Sequence, residues 1–133
     1  MNIKRMAKHF SVAIAVPVLF AATTGIANAS TTAPYVGYGY STKYNAVLCV
    51  QHNLNYAFQN TPLANQNPPA QLAEDGIWGN KTWGAVEWFQ SKMNIQVDGV
   101  VGPNTGDWLA GYGDPGSLGS PYRPCYPYIP TSW

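Results

Sequence analysis

Asp75-Gly76-Ile77-Trp78-Gly79-Asn80-Lys81-Thr82 returns 23 residues later as Asp98-Gly99-Val100-Val101-Gly102-Pro103-Asn104-Thr105. Both copies read Asp-Gly, two apolar residues, Gly, two variable positions and Thr, and both run directly into a helical pattern. Asp-Gly predicts a tight turn, with the Asp carboxylate accepting backbone N–H groups and Gly76 or Gly99 at positive φ. The two apolar residues that follow are expected to enter the core. Gly79 and Gly102 then let the chain bend into a helix N-terminus. There Thr82 and Thr105, at the third helical position, can bond back across the turn.

Outward from the repeat, the pattern is helical. Val47, Val50, Leu54, Ala57 and Phe58 recur at three- and four-residue steps behind Asn45, a good N-cap residue, and predict a first helix with one apolar face. Cys49, His52, Asn53 and Tyr56 occupy its other face, so a disulfide from Cys49 is expected to leave on the side away from the core. Residues 59–73 form an uncharged loop in which Pro62, Pro68 and Pro69 limit helix. A second helix is predicted from about Asn80 to Met93, with Thr82, Ala85, Val86, Phe89 and Met93 inward and Asn94 ending it in a left-handed conformation. A third begins at Pro103, carries Trp108 and Leu109, and stops at Gly111. Residues 30–44 read as an extended or loosely ordered lead-in. Residues 111–133, rich in Pro, Gly and Tyr, read as a tail without helix or central strand.

The amino terminus is a targeting signal by pattern. A cationic start (Lys4, Arg5, Lys8) leads into the apolar run from Phe10 to Ala22, and Ala27-Asn28-Ala29 supplies the small residues a signal peptidase reads. The apolar run is too short to span a bilayer. Cleavage after Ala29 would leave four cations, Lys43, Lys81, Lys92 and Arg123, against six carboxylates, a net charge of −2. Four scattered cations cannot neutralise a run of phosphates, which excludes nucleic acid as a partner. No basic amphipathic helix offers itself to a membrane surface once the signal is gone. The two cysteines, in an exported chain, read as one disulfide, Cys49–Cys125. With a single histidine left after cleavage, no metal-ligand spacing is present, and neither a metal nor another cofactor is expected.

At these residues the chain resembles a known family, the peptidoglycan-binding-like domain appended to many bacterial cell-wall hydrolases. The resemblance rests on Val47, Val50, Gln51 and Leu54 in the first helix. It continues through Asp75, Gly76, Trp78, Gly79, Thr82, Ala85, Val86, Phe89 and Gln90, and then through residues 98–105 with Trp108 and Leu109. It covers about residues 45–110. It implies a mainly α, compact three-helix fold, with the second repeat opening a short final helix, and a ligand in the glycan or stem peptide of peptidoglycan. The sequence departs from the family pattern in its long 59–73 loop, in Asn80 where Pro is common, and in the tail, which lies outside the pattern.

Catalysis finds little to work with. His52 is the one available base, and it lies beside a cysteine expected to be oxidised. Glu74 with Asp75, and Glu87, are the carboxylates a glycosidase could draw on. Asp75 and Asp98 are committed to their turns, and no calcium loop is present. Aromatic and amide side chains are the better lead, because sugar rings stack on Trp or Tyr while hydroxyls bond to Asn, Gln and Thr. The resemblance implies that Trp78 and Trp108 fall at core positions. Trp83 and Trp88 lie off the inner stripe of the second helix and, with Asn80, Gln90 and Gln51, are the candidate ligand contacts. The two glutamines could equally hold loop backbone through their amides. The expectation is a secreted, monomeric, non-catalytic cell-wall-binding protein, extracellular or wall-associated. The alternatives are a secreted interaction or inhibitor module, for instance a partner of a separate cell-wall hydrolase, or, third, a small hydrolase.

Overall fold

The computed structural model describes residues 30–118 and 124–132. The expected signal segment, residues 1–29, lies outside the described residues. Four helices follow in order: α1 (Tyr44–Asn60), α2 (Asn80–Lys92), α3 (Pro103–Tyr112) and the single turn α4 (Pro115–Leu118). Short 3-10 turns occupy Pro62–Gln66 and Tyr126–Tyr128. Among the described residues there is no strand, and the molecule is mainly helical.

The apolar periodicity of α1 and α2 translates directly into packing. Val47, Val50, Leu54, Val86 and Phe89 are fully buried, with Ala57, Phe58, Ala85 and Leu109 beside them. Each such large side chain contributes on the order of 1.5–3 kcal/mol relative to leaving it in water. The helix ends hold small corrections. α1 starts at Tyr44 with Lys43 at its cap and no side-chain cap bond. Asn45 is not the cap; its amide donates instead to the Tyr128 hydroxyl, 3.2 Å away, and so ties the start of α1 to the tail. Asn94 takes the left-handed conformation expected of it, φ 54°. α3 runs one residue beyond Gly111, to Tyr112.

One alternative is decided and two larger expectations change. Of an extended or a loosely ordered lead-in, the extended form holds: Val36 is fully buried and exchanges two backbone hydrogen bonds with Val101, of 3.0 and 2.9 Å. The tail does contain helix, because Asp114 and Asn53 organise α4. The carbonyl of Asp114 accepts from the Ser117 and Leu118 amides, while Asn53 Oδ1 accepts from the Asp114 amide and the Ser117 hydroxyl. The second face of α1 is also core. Cys49 and Asn53 are buried there, and the Cys49–Cys125 disulfide, Cα–Cα 5.4 Å, sits within the apolar cluster. The tail is what buries that face. Its end crosses α3 at Gly106, where a Cβ would lie 1.6 Å from the Pro130 carbonyl oxygen.

Candidate functional site

The two turns are built alike around a buried glutamine. Gln51 Oε1 accepts the backbone N–H groups of Asp75 and Gly76 at 3.1 and 2.9 Å. Its Nε2 lies within 3.0 Å of Asp75 Oδ1, 3.0 Å of the Ile77 carbonyl and 3.2 Å of Thr82 Oγ1. Gln90 repeats this on Asp98, Gly99, Val100 and Thr105, with every distance between 2.8 and 3.0 Å. An amide has two acceptor sites and two N–H groups, so each glutamine is fully spent. Both are 1% exposed. Gln51 and Gln90 therefore hold turn backbone and present nothing to a ligand, which corrects their place among the candidate contacts. Gly76 and Gly99 take φ of 68° and 69°, and Asp75 Oδ1 and Asp98 Oδ1 accept from Ile77 and Val100. The Ile77 N–H, with the Gln51 amide behind it, holds the Asp75 carboxyl below the usual carboxylate range.

Only one of the two apolar residues in each copy goes inward. Trp78 and Val101 are buried, whereas Ile77 is 67% exposed and Val100 half-buried. In the extended segment after the turn, successive side chains point to opposite sides, so both cannot reach the core.

The aromatic residues divide along the same lines. Tyr44 and Trp83 each stand seven residues before a turn-holding glutamine, and each lies on the glycine of that turn. A Cβ on Gly76 would meet the Tyr44 ring at 2.3 Å, and one on Gly99 would meet Trp83 Nε1 at 2.0 Å. Trp83 nonetheless keeps 37% of its surface exposed. Asn80, three residues earlier on the same face of α2, accepts the Tyr38 hydroxyl at 3.2 Å, and Tyr38 stands edge-on to Trp78. Trp88 is elsewhere. It packs edge-to-face on Phe58, centroids 5.1 Å apart, under the Lys92 ammonium, and is half-buried at the rim of the core. Trp108, expected in the core, is 39% exposed beside Tyr112.

Each turn also borders a pocket. The first, about 230 Å³, is lined by residues that include Asp75, Gly79 and Lys81; the second, about 190 Å³, by residues that include Asp98, Gly102 and Asn104. Apart from Gln51, every residue lining the first has its counterpart 23 positions on lining the second. Tyr35 and Tyr40 line the second as well. A larger cavity, about 650 Å³, lies beside the disulfide and contains His52. The His52 ring bridges Glu74 Oε2 (3.1 Å) and Asp114 Oδ2 (3.0 Å). Partial burial pulls its pKa down, but the hydrogen bonds and charges of Asp114 and Glu74 outweigh this and leave it raised. That favours the imidazolium, where a general base needs the neutral ring. Among the described residues no group of three His, Cys, Asp or Glu is placed to hold a metal, and no helix is long and apolar enough to cross a membrane.

Residues 44–109 match the sequence model of the family described as "Putative peptidoglycan binding domain". Through this stretch the chain belongs to that family. No curated protein and no solved structure matches it. The matched segment holds both turns, both glutamines, Asn80, Trp83 and Tyr44; Tyr35, Tyr38 and Tyr40 of the lead-in and the disulfide-bound tail lie outside it. Sequence reasoning missed Tyr38 and Tyr44. The seven-residue offset shared by Tyr44–Gln51 and Trp83–Gln90 was readable in advance. The Tyr38–Asn80 contact, across 42 residues, carried no local signal.

Proposed function

We propose that this chain is an exported, non-catalytic protein that binds bacterial peptidoglycan through the surface around its two turns, with Trp83, Asn80 and Tyr38 as contacts. Export rests on the cationic and apolar amino terminus and on the disulfide, which persists in an oxidising compartment. The observation that carries the binding reading is Trp83. Its indole is pinned against Gly99 and yet exposed, in the family-matched segment, one helical turn after Asn80 on α2. A ring held this way loses little freedom on binding and offers a flat face for a sugar or a peptide bond.

Co-sedimentation of the mature protein with purified sacculi tests this reading. The protein should pellet with the wall and release no reducing sugar or free amine. Trp83→Ala should reduce pelleting, while Trp88→Ala, which removes a core-rim ring, should lower the melting temperature instead. Protein that stays in the supernatant at micromolar concentration would turn the reading toward a protein partner. Exposed Ile77 and Trp108 would then be the apolar contacts.

A further inference from the structure

The geometry points to the pocket between the lead-in and the second turn as a subsite for one uncharged sugar ring of a glycan, with the Tyr35–Tyr40 pair as its stacking platform. The inference rests on the peptidoglycan-binding reading and adds the ligand's chemical class and its place. The platform lies in a segment outside the family match, so it is a feature of this chain.

The pair is built, not incidental. The two rings have centroids 5.4 Å apart and are tilted by 34°, with exposures of 45% and 58%. Their backbone is fixed by the Val36–Val101 exchange and by the Ser41 amide donating to the Tyr35 carbonyl at 3.0 Å. Tyr35 lies against Gly102, where a Cβ would come within 3.1 Å of the ring. The platform is thereby tied to the second turn and pays little ordering entropy on binding.

The rest of the wall sets the chemistry. Gln96 and Asn104 supply uncharged amides. Asp98 spends Oδ1 inside the turn, which leaves Oδ2 as an acceptor for a hydroxyl or amide N–H. Among the described residues no cation lines this pocket, so a carboxylate-bearing group is disfavoured beside Asp98. At about 190 Å³ the space is below that of a drug-sized site and suits a single ring. The repeat-related pocket has Lys81 in place of Asn104 and, among the described residues, no tyrosine in its lining, so the stacking pair belongs to the second turn.

The test uses the mature full chain with two probes: a soluble β-1,4-linked N-acetylglucosamine oligomer, which is neutral, and purified sacculi. Wild type should bind the oligomer. Tyr40→Ala and Tyr35→Ala should each weaken this by about tenfold or more, equivalent to about 1.4 kcal/mol. Tyr40→Phe should keep most of the affinity, because stacking survives loss of the hydroxyl. Asn104→Ala, at an exposed position, provides a variant that does not threaten the fold and should lose affinity several-fold. No oligomer binding by wild type, or equal binding by both tyrosine-to-alanine variants, overturns the subsite. Sacculus binding that persists unchanged in the variants overturns the subsite and leaves the wider reading standing. Tyrosine-dependent oligomer binding without sacculus binding does the reverse. Binding of a soluble stem peptide that depends on Tyr40 would replace the sugar with a peptide and sink the inference.

Discussion

Gln51 and Gln90 are polar side chains fully withdrawn from water, and each carries a whole turn on its amide. Replacing Gln90 with Leu keeps roughly the volume but strips the Asp98 and Gly99 N–H groups of their acceptor. An orphaned buried group costs about 1–3 kcal/mol. In a domain of this size each kcal/mol moves the melting temperature by about 4–8 °C, so Gln90→Leu should lower it by roughly 10 °C or more in a thermal scan. His52 yields a pH prediction of definite sign. Its pKa in the fold is raised by Asp114 and Glu74 against the pull of burial. Its stabilising contribution is therefore complete below the unfolded value, near about 6.5, and fades as pH rises through the folded one. His52→Gln should flatten the fall in melting temperature between mildly acidic and mildly alkaline pH. An unchanged pH profile would show that the bridge contributes nothing.

At the scale of the elements, two helical glycines make opposite predictions. Gly84, within α2, has open space where a Cβ would go, so Gly84→Ala should stabilise by about 0.5–1 kcal/mol through helix propensity. Gly106, in α3, faces the Pro130 carbonyl, and alanine there must push the tail away. Gly106→Ala should cost about 1–3 kcal/mol despite the same gain in propensity, and should open the tail to protease. Trp78 anchors the turn that leads into α2. Trp78→Ala should cost about 3–5 kcal/mol, while Trp78→Phe should cost far less. The phenyl ring keeps much of the packing and also removes an indole N–H that is buried without an acceptor.

Across the whole molecule, the tail is a second cover over α1. The disulfide joins residues 76 apart and holds Cys125 and the adjacent 3-10 turn on the Cys49 face. Cys125→Ser should lower stability by roughly 2–5 kcal/mol, read by denaturant titration, and should expose the tail to limited proteolysis before the helices unfold. Binding through Trp83 should survive in that variant under native conditions, since Trp83 rests on the second turn and not on the tail.

The sequence by itself determined the two turns, the three main helices and the inward stripes of α1 and α2. Those features depend on interactions within a few residues: an Asp carboxylate on its neighbours' N–H groups, a glycine at positive φ, an apolar side chain every three or four positions. The resemblance to the peptidoglycan-binding family rested on the same residues, and the family match extends over them. Tertiary structure decided the rest. That Ile77 points outward while Trp78 points in, that Gln51 serves a turn 24 residues away, and that Val36 pairs with Val101 are consequences of which segments meet. The face of α1 bearing Cys49 and Asn53 looked like a solvent face because its cover arrives from Asp114, Ser117 and Cys125, far along the chain. The Tyr35–Tyr40 platform was a run of tyrosines in sequence. It became one wall of a pocket only when Val101 and Gly102 supplied the surface it rests on.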